Sequence, residues 1–340
     1  MCIRDRLVGI LTNRDTRFCT DDDQSRPVTE YMTSTNLVTA PVGTTIEDAV
    51  AILHKHRIEK LPLVDEQGRL RGLITVKDID KRIQKPDATL DASGRLVVGA
   101  AVGVTDTVER THELVNAGVD LVVIDTAHGH TAGVMKSVRD IKTKWPDLTV
   151  VGGNVVTREG VDALAEAGAD VIKVGVGAGS ICTTRIVSGA GMPQMSAIHE
   201  CVVAAKRHVR DGRSIPVIAD GGVVTSGDIV KAFAAGADAV MLGNLLAGTD
   251  EAPGDLELVD GAMWKTYRGM GSAGAMRGRA ADRYGSAQSA NAKHVPEGVE
   301  ARVRYAGPLP ELLSQVVGGL RSGMGYALSL IHISEPTRPY

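Results

Sequence analysis

The chain has 340 residues, a formal net charge of −3 and 23% charged residues. This balance excludes a strongly basic nucleic-acid-binding domain and a disordered polyelectrolyte, and no apolar run reaches the length of about 18 residues that spans a membrane. Glycine is frequent (39 residues) and aromatic residues are scarce (3%), so we expect many tight turns and no bulky aromatic core. Because the four cysteines are too few for a disulfide framework and no signal-peptide pattern opens the chain, we expect a cytoplasmic protein of about two domains.

Both ends of the chain are expected to be non-native. Residues 1–6 and 328–333 can be encoded by one DNA element read on opposite strands, as in a translated sequencing adapter. Such scars are excluded from fold prediction. We therefore expect residues 1–6 and 328–340 to be artefacts and the natural segment, residues 7–327, to be cut at both ends.

An internal repeat marks the first part of the chain. Residues 7–15 and 70–78 share a pattern in which an apolar run leads to Thr, with an Asp three residues later that can start a helix. The stretches between them predict a complete β-α-β-β-α module over residues 27–84, preceded by the remnant of another over residues 7–26. The two resemble a pair of CBS modules, the Bateman arrangement that binds adenine or guanine nucleotides. A generic α/β unit is the alternative for this segment.

The composition changes after a polar linker at residues 85–95. Six continuous apolar runs follow, of the kind found in parallel strands covered on both faces. Amphipathic stretches separate them, and three end in a capping Gly and an Asp, at residues 116–120, 166–170 and 234–238. The repetition predicts an α/β fold, a (β/α)8 TIM barrel over residues 96–327 that lacks its first strands and contains the CBS pair as an insertion. An open doubly wound sheet is the alternative.

The loop at residues 175–185 carries the clearest chemistry. It follows a predicted strand, and barrel active sites lie at the carboxyl ends of strands. Cys182 lies beside Arg185 among exposed backbone dipoles and is a candidate thiolate nucleophile, while Ser180 and nearby amides could bind phosphate. A glycine-rich turn with an inert cysteine fits the spacing equally well. Cys201 lies in an amphipathic stretch and is expected to be a packing residue.

Three separated segments, residues 175–185, 220–222 and 267–272, are similar to the inosine 5′-monophosphate (IMP) dehydrogenase family. The resemblance covers essentially all of residues 7–326. It implies oxidation of IMP to XMP with NAD in guanine nucleotide biosynthesis. In that reaction Cys182 attacks C2 of the hypoxanthine ring, a hydride passes to NAD, and water hydrolyses the covalent thioimidate.

The same resemblance implies a role for each matching residue. Catalytic roles fall to Cys182, to Thr184 and to an Arg283–Tyr284 dyad in a flap at about residues 271–305, where Arg283 acts as base for the attacking water. The substrate-binding positions are Ser180, Asp220, Gly222, Gly243, Asn244, Tyr267, Met270, Gly271 and Glu297. The positions on the nicotinamide side are Asp125, Thr126, Ala127, Asn154 and Gly175. The positions that provide carbonyl ligands for K⁺ are Gly177, Gly179 and Cys182.

The resemblance further implies a homotetramer or octamer and a K⁺ site completed by a neighbouring subunit, while the composition gives no reason to expect a membrane or nucleic-acid partner. Two alternatives stay open. GMP reductase, which converts GMP to IMP with NADPH, shares the cysteine loop but needs no hydrolysis, so the flap dyad favours the dehydrogenase. A non-catalytic regulator that binds adenine nucleotides at the CBS module is the other. Because the barrel is expected to be cut, we expect weak or absent activity from this chain.

Overall fold

A computed structural model describes residues 2–3, 6–86, 88–92, 94–277, 283 and 295–327 of the chain. The chain divides into two compact units between Leu96 and Val97. Residues 1, 4, 5 and 328–340, which belong to the expected terminal artefacts, lie outside the described part. Within the described part, no helix is both long enough and apolar enough to cross a bilayer.

The first unit is a small α/β unit. Its elements are β1 (Cys2–Ile3), β2 (Arg6–Leu7), 3-10 turns at Asp21–Ser25 and Val28–Glu30, β3 (Ala40–Pro41), α1 (Ile46–His56), β4 (Lys60–Val64), β5 (Leu70–Thr75) and α2 (Val76–Gln84). Strand β4 pairs with β3 in parallel and with β5 in antiparallel orientation. The hydroxyl groups of Thr45 and Thr75 cap the two helices, and Leu53 and Leu61 lie in the small core between helices and sheet.

The two Thr–Asp repeats form the same hydrogen bonds on different backbones. One carboxylate oxygen of Asp15 accepts from the N–H and the hydroxyl of Thr12 at 2.7 and 2.8 Å, and Asp78 does the same with Thr75 at 3.0 and 2.7 Å. Only Asp78 lies in a helix, whereas residues 13–18 form turns. The helix expected at the first repeat is therefore absent, because its one large apolar side chain, Phe18, is 89% exposed and buries no stabilising face.

The second unit alternates strands and helices through most of its length. Its elements are β6 (Gly99–Val102), α3 (Thr107–Asn116), β7 (Leu121–Asp125), α4 (Ala132–Lys144), β8 (Thr149–Val155), α5 (Arg158–Ala167), β9 (Val171–Val174), α6 (Thr184–Val187), α7 (Gln194–Ala205), β10 (Val209–Arg210), β11 (Arg213–Ser214), β12 (Val217–Asp220), α8 (Ser226–Ala234), β13 (Ala239–Met241), α9 (Asn244–Ala247), β14 (Leu256–Val259), β15 (Ala262–Arg268), β16 (Glu300–Arg304) and α10 (Leu309–Ala327).

Six strands of this unit form one parallel sheet in the order β6-β7-β8-β9-β12-β13. Each new strand joins the same side of the sheet, so the order never reverses. A doubly wound sheet reverses its order at a switch point, whereas a barrel adds strands in sequence. The described strands therefore form a barrel-type parallel sheet, which confirms the predicted α/β class and contradicts the open alternative.

Small aliphatic side chains fill the space between this sheet and its helices. Val122, Val150 and Ile172 on the strands and Val138 and Leu164 on the helices have no exposed surface. Such dense packing of Val, Ile and Leu leaves little room for aromatic rings, which agrees with their scarcity. The antiparallel sheet β14-β15-β16 and helix α10, which packs on α8, complete the unit.

The recurring Gly-x-Asp signature ties neighbouring strands together. The N–H of Asp120, which precedes β7, donates to the carbonyl of Val98 at 3.0 Å, and the Asp120 carboxylate accepts from the Val98 N–H at 2.8 Å. The same reciprocal pairing joins Asp170 to Val150 and Asp238 to Val217. Each Asp thus satisfies a backbone N–H near the start of one strand and fixes the register of the next strand beside it.

We expect Asp238→Ala to lower the free energy of unfolding by about 1–3 kcal/mol, because it leaves the Val217 N–H without its acceptor next to a side chain that is 1% exposed. Urea denaturation measures this change. The matched control is Asp140→Ala, which removes only a surface pair with Lys136 and should change stability by less than about 0.5 kcal/mol. Equal effects of the two variants would contradict the register role.

Candidate active site

Polar side chains gather at the carboxyl ends of four neighbouring strands. Asp125 ends β7, Asn154 lies near the end of β8, Lys173 is the third residue of β9, and Asp220 ends β12. Parallel strands bring all their carboxyl ends to one edge, so these side chains converge although they are far apart in the chain. This edge is the candidate active site.

Lys173 joins the two carboxylates of this edge. Its ammonium group donates to Asp125 Oδ1 at 2.9 Å and to Asp220 Oδ2 at 2.5 Å. The side chain is 2% exposed and the two carboxylates are 22% and 21% exposed. A buried ammonium group is costly unless it is paired, and two carboxylates repel each other unless a cation lies between them. Each charge therefore depends on the others for its place.

Asn154 supports the same arrangement. Its Nδ2 donates to the Gly175 carbonyl at 2.7 Å and to Asp220 Oδ2 at 2.9 Å. Asp220 Oδ2 is thus held by two donors, while no hydrogen bond between described residues uses its Oδ1. The Asn154 Oδ1 atom is buried and has no partner within the described part of the chain. The edge therefore holds an acceptor that a ligand N–H or O–H could satisfy.

The cysteine loop, residues 175–185, is built around glycine conformations. Gly175 has φ +145°, and a side chain there would collide with the Asp220 carbonyl oxygen. The Cys182 thiol is half-buried and donates to the Thr184 hydroxyl at 3.1 Å. The loop is then held by strand-like bonds: the Thr183 N–H donates to the Glu297 carbonyl at 2.9 Å. The nucleophile candidate is thus accessible and hydrogen-bonded.

The predicted substrate positions cluster around this loop. A Cβ at Gly221 would lie 3.1 Å from Ala178 Cβ, so the Asp220–Gly222 turn packs on the cysteine loop. The Glu297 N–H donates to the Gly271 carbonyl at 3.0 Å, and Met270 is half-exposed. The described part of the chain gives no side-chain hydrogen bond for Ser180 or Asn244.

Tyr267 approaches the turn that precedes α9. A Cβ at Gly243 would lie 3.1 Å from its hydroxyl oxygen. Burial raises the pKa of the Tyr267 phenol, and the negative charge of Asp220 adds to the shift. The phenol therefore stays protonated at neutral pH and can donate a hydrogen bond.

Arg283 contacts two of the residues that were predicted to bind the nicotinamide cofactor. Its guanidinium group forms an ion pair with Asp125, and its carbonyl accepts from the Ala127 N–H at 2.9 Å. Thr126 is buried, and its hydroxyl donates to the Gly153 carbonyl at 2.7 Å. Tyr284, the other residue of the predicted dyad, lies outside the described residues.

The predicted cation ligands share one turn. The Cys182 N–H donates to the Gly179 carbonyl at 3.2 Å, and Gly177 has φ +72°. Backbone carbonyls are ligands that K⁺ accepts in place of water. Among the described residues, no group of three or more His, Cys, Asp and Glu side chains could hold a metal ion.

Sequence reasoning missed two site residues. Lys173 stands alone in the otherwise apolar strand Val171–Val174, and that interruption was its only signal. Gln194, at the start of α7, donates through Nε2 to the carbonyls of Val174 and Asp220 at 3.0 and 3.2 Å. The packing role predicted for Cys201 is confirmed, since it is fully buried and burial raises the pKa of its thiol to about 12.

Comparison with known proteins gives a consistent assignment. Residues 18–333 match the family model of the IMP dehydrogenase / GMP reductase domain. Curated proteins named inosine-5'-monophosphate dehydrogenase are 57% identical over 322 residues in Halalkalibacterium halodurans and 57% identical over 323 residues in Aquifex aeolicus. Each alignment covers 94% of this chain and 64% of the relative. The chain therefore spans less than two thirds of the length of these relatives.

A solved structure is also similar. GMP reductase from Trypanosoma brucei, in complex with guanosine 5'-monophosphate, superposes with a TM-score of 0.84 and 42% identity. The match covers 96% of this chain and 66% of the other. On the family match and these identities, the chain belongs to the IMP dehydrogenase / GMP reductase family.

Proposed function

We propose that the chain carries catalytic machinery for the oxidation of IMP to XMP with NAD, in guanine nucleotide biosynthesis. The observation that carries the proposal is the ion pair between Arg283 and Asp125. It places Arg283 at the same strand edge as Asp220 and the cysteine loop. An enzyme that ends its reaction with hydrolysis needs a group that handles water, whereas a reductase that releases ammonia does not. The names of the curated relatives support the same reading.

The substrate nucleotide would lie across the strand edge. Asp220, fixed by Lys173 and Asn154, would accept from the two ribose hydroxyls. The phosphate would take donors from the loops of the sheet and from Tyr267, whose phenol stays protonated. Those phosphate positions are Ser180, Gly222, Gly243, Asn244 and Tyr267. The base would be recognised at Met270, Gly271 and Glu297.

Cys182 would be the nucleophile. Its thiol, which donates to the Thr184 hydroxyl in the structure, would first lose its proton to give the reactive thiolate. Its Sγ bonds to C2 of the base, C2 becomes tetrahedral, and the C2–H bond breaks with the electron pair leaving as hydride. Water then adds to C2, the S–C2 bond breaks, and the thiol is regenerated while the oxygen stays in XMP. Arg283 would take a proton from that water; because a guanidinium is normally protonated, it must first leave Asp125 and pass its own proton to a neighbouring acceptor or to solvent.

The residues of the nicotinamide side fit a cofactor with an amide group. NAD, when bound, supplies the acceptor for the hydride. The buried, unpartnered Asn154 Oδ1 offers an acceptor for an amide N–H, and the Gly175 carbonyl, which accepts from Asn154 Nδ2, holds this side chain in place. Asp125 and the Ala127 N–H contact Arg283, so these two groups would receive the cofactor only after Arg283 has moved away. Thr126 would line the same side.

Further parts of the proposal rest on the family resemblance. The complete protein would be cytoplasmic, and would close a (β/α)8 barrel into which a CBS pair is inserted. It would assemble as a homotetramer or octamer, which sedimentation would distinguish. K⁺ would bind the carbonyls of Gly177, Gly179 and Cys182, and loss of activity on replacing K⁺ by Na⁺ would test it.

GMP reductase is the second candidate, favoured by the similar solved structure. We expect the complete protein to turn over IMP plus NAD, followed by NADH absorbance, and not GMP plus NADPH, while this chain alone should show weak or absent turnover. Cys182→Ala should abolish turnover because no S–C2 bond can form, while Cys19→Ala, at an exposed thiol of the first unit, should not change it. Turnover with GMP plus NADPH would establish the reductase instead, and nucleotide binding without turnover would favour the regulator.

In the complete protein, Arg283→Ala should slow the steady-state rate by about 100-fold or more, because general-base catalysis of the water step is lost. The first burst of NADH should slow much less, since hydride transfer precedes hydrolysis. Rapid-mixing kinetics separates the two steps. Arg139→Ala on the exposed face of α4 is the control, and equal slowing of burst and steady state would contradict the assigned role.

The first unit contains a cavity of about 400 Å³ that suits a nucleotide. Its lining includes the repeat residues Thr12 and Asp15 and the cationic side chains Arg14, Lys60 and Lys77. We propose that it binds the phosphates of an adenine or guanine nucleotide, as the CBS resemblance implies. Cationic donors attract phosphate oxygens, and the carboxylates of Asp15 and Glu59, which also line the cavity, would accept from sugar hydroxyls.

Titration calorimetry with ATP and GTP tests this cavity. Lys77→Ala should weaken binding about tenfold, the effect of one lost charge-assisted hydrogen bond. Lys136→Ala, on α4 of the second unit, should leave the affinity unchanged. Absence of nucleotide binding, or equal affinity of the two variants, would refute the assignment.

A further inference from the structure

Lys265 is a buried lysine held entirely by backbone carbonyls. It lies in β15 and is 4% exposed. Its Nζ donates to the carbonyls of Thr249 at 2.5 Å and Asp250 at 3.2 Å, and also to that of Ala252. An ammonium group has three donors, so all of them are used. None of the ion pairs between described residues includes Lys265.

Burying a charged lysine without a carboxylate partner lowers the stability of the fold unless other interactions compensate. Removing an ammonium group from water is unfavourable, and an apolar side chain of similar size would fill the same space without that penalty. The turn at residues 249–252, however, points three carbonyl dipoles at one place. Lys265 therefore satisfies all three carbonyls and fixes the course of this turn.

The turn follows α9 directly, and the residue before α9 is contacted from the same strand. Residues two apart in a strand face the same side, so Lys265 and Tyr267 both point toward α9. Tyr267 places its hydroxyl beside Gly243, and Lys265 holds the carbonyls that begin at Thr249. Side chains on one face of β15 thus contact both the start and the end of residues 243–252.

We propose that Lys265 is a positioning residue for nucleotide binding, which holds residues 243–252 in the conformation that receives the substrate phosphate. The inference rests on the proposed function, in which Gly243, Asn244 and Tyr267 surround that phosphate. Lys265 itself does not touch the nucleotide. Its loss should therefore weaken binding of a nucleotide that carries a phosphate and leave binding of the corresponding nucleoside unchanged.

Calorimetry of the full chain with IMP and with inosine tests the proposal. Lys265→Met should weaken IMP binding about tenfold, because three buried carbonyls lose their donor and the turn relaxes. Inosine affinity should stay the same, which a general loss of structure would not allow. Lys136→Met, at a surface lysine, is the matched control and should change neither affinity. In Lys265→Ala, added propylammonium should restore IMP binding, since it replaces the missing part of the side chain.

The outcomes separate this inference from the proposed function. If the unmodified chain binds IMP no more tightly than inosine, the proposed function fails and the inference with it. If the unmodified chain prefers IMP and Lys265→Met keeps that preference, only the inference is overturned. If circular dichroism shows that Lys265→Met is unfolded and propylammonium restores neither fold nor binding to Lys265→Ala, Lys265 serves the whole fold and the positioning role is overturned.

Discussion

The ammonium group of Lys173 is the interaction on which the strand edge depends. Within the described part of the chain, it is the cation that contacts both Asp125 and Asp220, which come from strands on opposite sides of its own strand. Without it, two carboxylates would face each other across an apolar sheet, where repulsion is poorly screened. In the proposed reaction Asp220 serves the substrate and Asp125 the cofactor, so a single side chain links the two binding regions.

Two buried lysines of the second unit, Lys173 and Lys265, have different kinds of partner. Lys173 neutralises side-chain charge and sets the distance between two acids, whereas Lys265 gathers backbone dipoles and carries a charge with no acid partner among the described residues. Both lie inside strands, where the flanking side chains exclude water and make each hydrogen bond stronger. Rigid strands rather than loops thus hold the groups that shape the candidate site.

The sequence was sufficient for the parallel sheet, because apolar runs and the Gly-x-Asp signature are local patterns. The cysteine loop was recognisable for the same reason. Lys173 and Lys265 were not, since the partners of Lys173 lie 48 and 47 residues away and the partners of Lys265 are carbonyls that leave no trace in a sequence. The helix expected after Thr12 failed because a capping pattern alone cannot replace an apolar face.

The reciprocal Asp pairings also bear on how the sheet is assembled. Each joins residues only 22, 20 or 21 positions apart, so it can form as soon as one strand, one helix and the start of the next strand exist. Short loops close with little loss of entropy, and local contacts favour fast folding. Register can therefore be set pair by pair as the chain lengthens, which limits the time that an unpaired strand edge is open to other chains.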